Sequence, residues 1–266
     1  MPSIVENSRR WDGTYNWRNR GDEWSQAWGG AEMQWHASIL PRIHAFVPTG
    51  TILEIAPGYG RWTQYLKDVC DRLIGVDLSQ QCVGACRQRF AGCPGLSFHV
   101  NDGKSLEMAP DGEIDFAFSF DSLVHAEEDV LAAYVQQLPA KLKPNGVVFV
   151  HHSNLGQYRH YFTLLRKVPP LRKLLKKLGG ETNAGWRAHS MTAAKLRRFA
   201  ADAGLLVIGQ ELINWLSRFY TDCFSILTPP GSIWARPNTV LKNRRFMQET
   251  RLISRLAPLY ADRRAA

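Results

Sequence analysis

The segment Thr51–Arg61 constrains the fold more than any other part of the chain. It begins with an apolar run typical of a strand, turns at Gly58 and Gly60, and continues into a helical pattern. Downstream, a second short apolar run, Leu73–Val76, ends on Asp77. A strand, a glycine turn, a helix and a second strand that ends on an acid form the nucleotide-binding half of a doubly wound α/β fold. The glycines let the backbone approach a ligand closely, and Asp77 can accept hydrogen bonds from ribose hydroxyls.

The residues around the turn narrow the choice of nucleotide. Thr63 stands where a dinucleotide-binding turn has its third glycine, and the chain has no P-loop sequence. Glu54 lies at the end of the first apolar run, four residues before Gly58. A carboxylate there would repel a pyrophosphate, but it suits a cationic ligand with an ammonium and a sulfonium group.

The segment from Glu54 to Gly60 resembles the first motif of class I S-adenosylmethionine (SAM)-dependent methyltransferases, usually E/D-x-G-x-G-x-G. Ala56 replaces the first glycine of that motif. Alanine is the smallest replacement, so its cost depends on whether the backbone angle φ is positive there. The resemblance implies a methyltransferase that uses SAM.

The resemblance also implies a set of cofactor-binding residues. They are Glu54, Ala56, Gly58, Gly60, Asp77, Leu78, Asn101, Asp102, Gly103, Phe120 and Asp121. Glu54 and the glycine turn would hold the methionine end, and Asp77 would hold the ribose. Asp102 would bind the adenine amino group, although an acid before a glycine is also an ordinary turn residue. Phe120 and Asp121 would border the sulfonium.

The alternation of strand and helix patterns predicts a mainly parallel sheet with right-handed crossovers. The predicted strands are Ile52–Ala56, Leu73–Asp77, Leu96–Val100, Ile114–Phe120, Val147–His151, Leu206–Glu211 and Thr221–Leu227. The predicted helices are Arg61–Cys70, Gln80–Phe90, Glu127–Leu142, Thr192–Ala203 and Val240–Tyr260. The fold class is therefore a Rossmann-like, doubly wound, seven-stranded sheet with an antiparallel edge.

We expect one domain over residues 1–266. Residues 1–46 would form an aromatic arm followed by a helix at residues 31–46, and the four tryptophans of residues 1–30 make this arm too aromatic for a disordered tail. The arm would fold over the core and help to form a substrate pocket. Residues 155–190 would be a basic helical insertion or a lid.

The basic insertion carries much of the net charge of +9. Between Tyr158 and Leu178 it has seven lysines and arginines and no acid, with an apolar side at near-helical spacing. It can be a lid, a patch for an anionic glycan or a peripheral membrane contact, or a helix packed on the domain. No apolar run reaches the length of a membrane span or resembles a signal peptide. With five cysteines expected as reduced thiols, we predict a cytoplasmic protein, which can form a homo-oligomer.

Methyl transfer needs alignment of the acceptor with the methyl group, and a hydroxyl acceptor also needs a base. His151 and His152 follow the fifth strand and His125 follows the fourth. Neighbouring strand residues point to opposite faces, so we expect at most one of the adjacent pair to reach the substrate, and we favour His151 as the base. Glu32 can orient the base or the substrate, or it is an ordinary solvated acid.

A Mg²⁺ site built from Asp121, a histidine and another acid is an alternative. Hard cations prefer several oxygen ligands, so we assign no residue as a metal ligand.

Longer stretches resemble bacterial sugar and polysaccharide O-methyltransferases, including mycobacterial enzymes that act on methylmannose oligosaccharides. These stretches are Phe118–His125, His151–Asn154, Trp186–Ser190, Gln210–Trp215 and Thr221–Ser225. The resemblance implies a saccharide hydroxyl as acceptor. Tryptophans can stack on the apolar faces of a sugar, or they can be core residues that only pack the interior. A non-sugar phenol or amine is the second hypothesis. The charge motivates a third, nucleic acid, but the basic run has few aromatics and no base-flipping motif is present. We therefore predict an oligosaccharide or small-molecule acceptor and no nucleic-acid partner.

Overall fold

A sheet of eight strands forms the centre of the protein, for which the computed structural model describes residues 3–167, 186–215 and 218–260. The strands are β1 Thr49–Ile55, β2 Cys70–Asp77, β3 Leu96–Val100, β4 Ile114–Ser119, β5 Leu142–Ser153, β6 Leu206–Ile213, β7 Asp222–Thr228 and β8 Thr239–Asn243. Their order is β3-β2-β1-β4-β5-β7-β6-β8, and β7 is antiparallel to both of its neighbours. The Rossmann-like α/β prediction is confirmed. The strand order reverses between β1 and β4, where such sheets bind ligands.

Two details of the predicted sheet are wrong. The sheet has eight strands rather than seven, because residues 239–243 form β8 beside β6 instead of starting the last helix. This strand is exposed along most of its length, so it lacks the buried-exposed alternation that marks a strand in a sequence. The antiparallel strand β7 lies inside the sheet, between β5 and β6, rather than at an edge. Strand neighbours depend on contacts between distant segments, which local patterns do not report.

Helices cover both faces of the sheet. They are α1 Ile4–Arg9, α2 Ala31–Gln34, α3 Leu40–Ile43, α4 Thr63–Leu66, α5 Gln80–Arg89, α6 Glu128–Lys141, α7 Arg159–Lys167, α8 Ala193–Asp202 and α9 Phe246–Tyr260. The side chain of Thr192 accepts a hydrogen bond from Lys195 N and caps α8, as its position predicts. The predicted helix at 61–70 is reduced to α4 and a turn at Lys67–Val69, since β2 begins at Cys70.

The helix predicted for residues 31–46 is divided into α2 and α3. A wide turn at Trp35–Ile39 separates them, and Pro41 follows at the start of α3. A proline has no N–H to donate to the carbonyl four residues earlier, so this backbone hydrogen bond is missing where the wide turn passes into α3.

Each face of the sheet carries its own apolar core. Ile52 and Leu53, neighbours in β1, are both fully buried, on opposite faces. Strands buried on both faces read as continuous apolar runs rather than alternating ones. Because β1, β2 and β4 are parallel, their C-terminal ends lie at one edge of the sheet, where their loops form the site described next.

The basic insertion is described only in part. Residues 168–185, which contain most of its lysines, lie outside the described residues. Before this gap, the described part ends with α7, on which Leu164 is more than half exposed. None of the helices in the described ranges is both long enough and apolar enough to cross a bilayer.

Candidate cofactor and substrate site

The loop after β1 has three residues in the left-handed backbone region. Ala56 has a φ of 60°, Gly58 of 59° and Gly60 of 79°. A Cβ atom on Gly60 would lie 2.5 Å from Cε2 of Phe90, so only glycine fits there. For an alanine, a left-handed conformation is strained by roughly 1–2 kcal/mol. Ala56 N donates to Val76 O at 2.7 Å, which ties this strained residue to β2.

Glu54 lies behind this loop rather than in the cavity in front of it. The carboxyl group is fully buried and accepts a hydrogen bond from Thr63 Oγ1 at 2.5 Å. Burial raises the pKa of Glu54 to about 8. Thr63, at the place of a third glycine, therefore ties the start of α4 to the end of β1. A direct contact of Glu54 with the methionine end stays a prediction that this position does not favour.

Asp77 lies at the end of β2, facing the glycine loop. Its Oδ2 accepts from Gly58 N at 3.0 Å and its Oδ1 from Ser79 N at 2.8 Å. Burial raises the pKa of Asp77 to about 6, against the opposing effect of these bonds. The carboxylate keeps free lone pairs for two hydroxyl groups. Leu78 lines the same cavity beside it.

The loop after β3 presents its backbone rather than its acid. Asn101 Nδ2 donates to Tyr134 Oη at 2.9 Å, and Asn101 Oδ1 accepts from Gly103 N at 3.0 Å. Asp102 is exposed and accepts from Lys104 N at 2.8 Å, the arrangement of an ordinary Asx turn. Among these three predicted residues, Gly103 lines the cavity and the other two do not. The adenine contact of Asp102 stays a prediction.

His151, the base that the sequence favours, is fully buried at the end of β5. Its Nδ1 accepts from the backbone N of Asp121 at 3.1 Å, and its Nε2 lies 3.3 Å from Asp222 Oδ2. Both ring nitrogens are thus in use, and the ring does not line the cavity. The expected position at the substrate is corrected, because β7 lies beside β5 and supplies Asp222.

His152 is a core residue. It is fully buried, with Nδ1 2.9 Å from Ser153 O and Nε2 2.9 Å from Ser225 Oγ. Burial lowers the pKa of His152 to about 4, so the ring is neutral. Neither nitrogen is available to a substrate, and His152 does not line the cavity.

His125 is the predicted histidine that the structure does place in the cavity wall. It ends a short turn after β4, and its Nδ1 lies 2.5 Å from Trp186 O. This carbonyl can only accept, so Nδ1 carries the proton and Nε2 carries the lone pair. Burial lowers the pKa of His125 to about 4, which keeps the ring neutral near pH 7.

Phe120 and Asp121 also line the cavity, and Glu32 does not. Asp121 has a φ of 63°, and its Oδ2 accepts from Arg61 Nη2 at 2.8 Å. Glu32 is half-buried in α2, close enough to Tyr65 to help burial raise the pKa of that phenol. The cavity wall therefore contains His125 but not Glu32.

One cavity of about 340 Å³ connects these groups. Of the predicted residues, its walls contain Ala56, Gly58, Asp77, Leu78, Gly103, Phe120, Asp121 and His125. The N-terminal arm covers it with Ile4, Asn7, Trp11, Trp17, Arg20, Gly21, Trp24, Ala27 and Trp28. Trp17 stacks on Tyr59 of the glycine loop, with ring centroids 4.5 Å apart. Asn7 Nδ2 donates to His125 O at 2.9 Å, and Trp186 Nε1 donates to Asn7 Oδ1 at 2.7 Å.

Four further residues of the candidate site were not among the predicted site residues. Asn7, Arg61 and Arg187 line the cavity, and Asp222 accepts hydrogen bonds from Arg187. Arg61, Arg187 and Asp222 lie within stretches noted in the sequence, but the resemblance of those stretches assigned no role to these residues. Within residues 3–167, 186–215 and 218–260, no group of three metal-ligating side chains was found.

Residues 52–146, a little over a third of the chain, match the model of a family described as a methyltransferase domain. The chain contains a methyltransferase domain. Solved structures extend the likeness in fold to most of the chain. A SAM-dependent methyltransferase from Clostridium acetobutylicum has a TM-score of 0.53 at 16% identity, covering 81% of this chain and 96% of that one. Magnesium protoporphyrin IX methyltransferase from Synechocystis, with bound S-adenosylhomocysteine (SAH), has a TM-score of 0.51 at 19% identity, covering 86% and 95%.

Curated relatives match a shorter part of the chain. Ribosomal RNA small subunit methyltransferase A of Geobacter sulfurreducens is 38% identical over 74 residues, 27% of each chain. Its counterpart in Dehalococcoides mccartyi is 28% identical over 102 residues, 38% of this chain and 34% of that protein. The chain thus matches about a third or less of these relatives' length. The matches support the domain class and leave the acceptor open.

Proposed function

We propose that this methyltransferase transfers a methyl group from SAM to a hydroxyl of a small ring-shaped acceptor, with a saccharide or glycoside as the first candidate. One observation carries the proposal: the same cavity contains Asp77 beside the glycine loop and the neutral imidazole of His125. One group suits a ribose, and the other can take a proton from a hydroxyl. SAM, when bound, supplies a methyl group that its sulfonium activates.

Several residues fit SAM. Asp77 is held by Gly58 N and Ser79 N, so its carboxylate is already oriented for ribose hydroxyls. Leu78 and Gly103 lie beside it in the wall and offer apolar and backbone surface to an adenine. Arg61, which follows the glycine loop and lines the cavity, would bind the methionine carboxylate. Phe120 and Asp121 would face the sulfonium.

His125 rather than His151 is our candidate base. Trp186 O fixes the tautomer that leaves Nε2 free to accept. As the acceptor oxygen bonds to the methyl carbon and the bond from that carbon to sulfur breaks, the hydroxyl would become acidic, and its proton would pass to His125 Nε2. Positioned bases of this kind contribute about 10²–10⁴-fold to rate.

The aromatic wall supports a ring-shaped acceptor. Trp24, Trp28 and Trp215 line the cavity, and indole faces stack well on the apolar faces of rings. A non-sugar phenol or amine is the alternative, because the same wall would stack an aromatic ring. A transfer screen with labelled SAM against saccharides, glycosides, phenols and amines, with and without Mg²⁺, tests the proposal. A product from amines alone would overturn O-methylation.

An RNA acceptor is the second candidate. The curated relatives are named for ribosomal RNA, and the net charge of +9 suits a polyanion. The arm over the cavity is an obstacle to so large an acceptor. Small-subunit ribosomal RNA belongs in the same screen, and methylation that falls steeply with salt would favour RNA over a small molecule.

A further inference from the structure

The cavity ends in a cluster of aromatic rings, here called the tryptophan end, formed by Trp28, Phe120 and Trp215. The centroids of Trp28 and Trp215 are 5.0 Å apart, and those of Phe120 and Trp215 are 6.2 Å apart. Trp215 follows β6, whereas Asp77 ends β2, and four strands lie between these two in the sheet. The tryptophan end is therefore on the acceptor's side of the cavity, away from the ribose site.

Trp28 brings an unsatisfied donor to this end. Its side chain is 1% exposed, and its buried indole Nε1 has no hydrogen-bond partner in the structure. An indole N–H can only donate. A buried donor without a partner is unfavourable and calls for an explanation. Because Trp28 lines the cavity, an oxygen of a bound molecule would be a suitable partner.

Arg187 brings further donors to the same place. Its Nε donates to Asp222 Oδ1 at 2.6 Å and its Nη2 to Asp222 Oδ2 at 2.8 Å. A guanidinium has five N–H groups, so these two bonds leave three. The Arg187 guanidinium carbon is 5.6 Å from the centroid of Trp215, the ring that Trp28 also contacts. Both residues line the cavity.

The balance of charge favours an anionic acceptor. Arg20, Arg61 and Arg187 line the cavity, together with Asp77 and Asp121, and Asp222 is bound to Arg187. When all six groups are charged, they cancel. SAM adds one positive charge, from a sulfonium and an ammonium against one carboxylate. An acceptor with one negative charge would offset the positive charge that SAM adds among these groups, which lowers the cost of burying it.

We infer that the acceptor is a hydroxylated ring that carries a carboxylate, bound by Arg187 and by the indole N–H of Trp28. The inference rests on the proposed function and specifies its substrate class. Uronic acids and hydroxybenzoic acids share this chemistry. In both, the carboxylate would anchor the ring against Trp215 while the hydroxyl is methylated.

Matched acceptor pairs test the inference. Glucuronate is compared with glucose, and hydroxybenzoate with phenol, by kcat/KM at saturating SAM. We expect a preference of at least about tenfold for the acid of the productive pair, since charge-assisted hydrogen bonds to a guanidinium are strong. Trp28→Phe keeps a ring and removes the N–H, and should reduce this preference about fivefold. Trp35→Phe is the matched control, because Trp35 is equally buried but does not line the cavity.

SAH affinity, measured by calorimetry, separates the possible failures. No SAH binding by the wild type contradicts the proposed function itself. If the wild type binds SAH but methylates the acid and the neutral ring equally well, the proposed carboxylate is overturned while the proposed function stands. The same holds if it binds SAH but methylates no acid of the panel. Weaker SAH binding by Trp28→Phe would mean that the indole N–H binds the methyl donor, which would also overturn the proposed contact with the carboxylate. Arg187→Lys should likewise lose the preference for the acid, because a lysine cannot reproduce the guanidinium fork.

Discussion

The Nε2 atom of His151 lies 3.3 Å from Oδ2 of Asp222, and neither side chain has any exposed surface. Asp222 also accepts two hydrogen bonds from Arg187. The result is a buried link from β5 through β7 to a cavity-lining guanidinium. It keeps His151 out of the cavity and holds Arg187 in it.

Removing the charge of Asp222 should destabilise the fold strongly. Asp222→Asn leaves Arg187 buried without its counter-charge, which costs about 3 kcal/mol or more in comparable buried pairs. Urea unfolding measures the loss. Asp68→Asn is the control, since Asp68 pairs with Lys67 while mostly exposed, and it should cost less than about 0.5 kcal/mol. Equal effects would mean that the buried link contributes little.

The same carboxylate should make stability depend on acid pH. Burial by itself would raise the pKa of Asp222, but Arg187 and His151 outweigh it and lower the pKa from 3.8 to about 2. Because its pKa is lowered on folding, Asp222 contributes about 2 kcal/mol to the free energy of unfolding above about pH 4. This contribution is lost as pH falls towards 2. The stability difference between wild type and Asp222→Asn should shrink as pH falls from about 4 towards 2. A difference that grows on acidification would contradict the ion pair.

His125→Asn should separate catalysis from binding. The asparagine amide can still donate to Trp186 O, but the acceptor atom Nε2 is lost. We expect kcat to fall about 10²-fold or more, with SAH affinity unchanged in calorimetry. His99→Asn, the same change in β3 outside the cavity wall, is the control. Nearly normal turnover in His125→Asn would remove the base role from this residue.

Asp77→Asn should weaken SAH binding by about tenfold or more, because hydrogen bonds to a charged group contribute about 1.5–3 kcal/mol each. Burial raises the pKa of Asp77 to about 6, so wild-type affinity should fall as pH drops below about 6, and the variant should show little of this dependence. Asp102→Asn is the comparison. Its exposed carboxylate bonds its own turn, and unchanged SAH affinity is expected. A comparable loss there would instead support the predicted adenine contact.

Ala56→Gly should stabilise the protein by about 0.5–1 kcal/mol. Glycine removes the strain of a φ of 60°, and the greater freedom of glycine in the unfolded chain offsets part of the gain. Thermal unfolding measures the change. Ala85→Gly in the middle of α5 should be destabilising by about 0.5–1 kcal/mol. If both substitutions lower the melting temperature equally, the strain at Ala56 is not significant.

The first five strands were predictable within a few residues, except that β5 begins earlier than expected. Their apolar runs and glycine turns are local signals of strands buried on both faces. β8 was missed because exposed edge residues carry no such signal. The helix expected at 61–70 was overestimated, since Thr63 bonds to Glu54 and β2 begins at Cys70, and both facts belong to the folded chain.

The cofactor side of the site could be read from the sequence more fully than the acceptor side. Asp77 and Gly58 are joined by a hydrogen bond at the position that their motif implies. The acceptor side consists of single residues from the arm, from residue 187 and from the loop after β6. These meet only in three dimensions, so no spacing along the chain connects them.

The sequence by itself determined the α/β class, the glycine loop and the acid that faces it, because strand, turn and acid are consecutive elements with local causes. Only the tertiary structure decided which histidine faces the cavity. With β7 inserted beside β5, His151 is bonded to Asp222 and His152 to Ser225, while His125 lines the cavity with its Nδ1 bonded to Trp186 O. Hydrogen-bond partners that are distant along the chain satisfy two of these rings, and that pairing follows from strand order rather than from any local pattern.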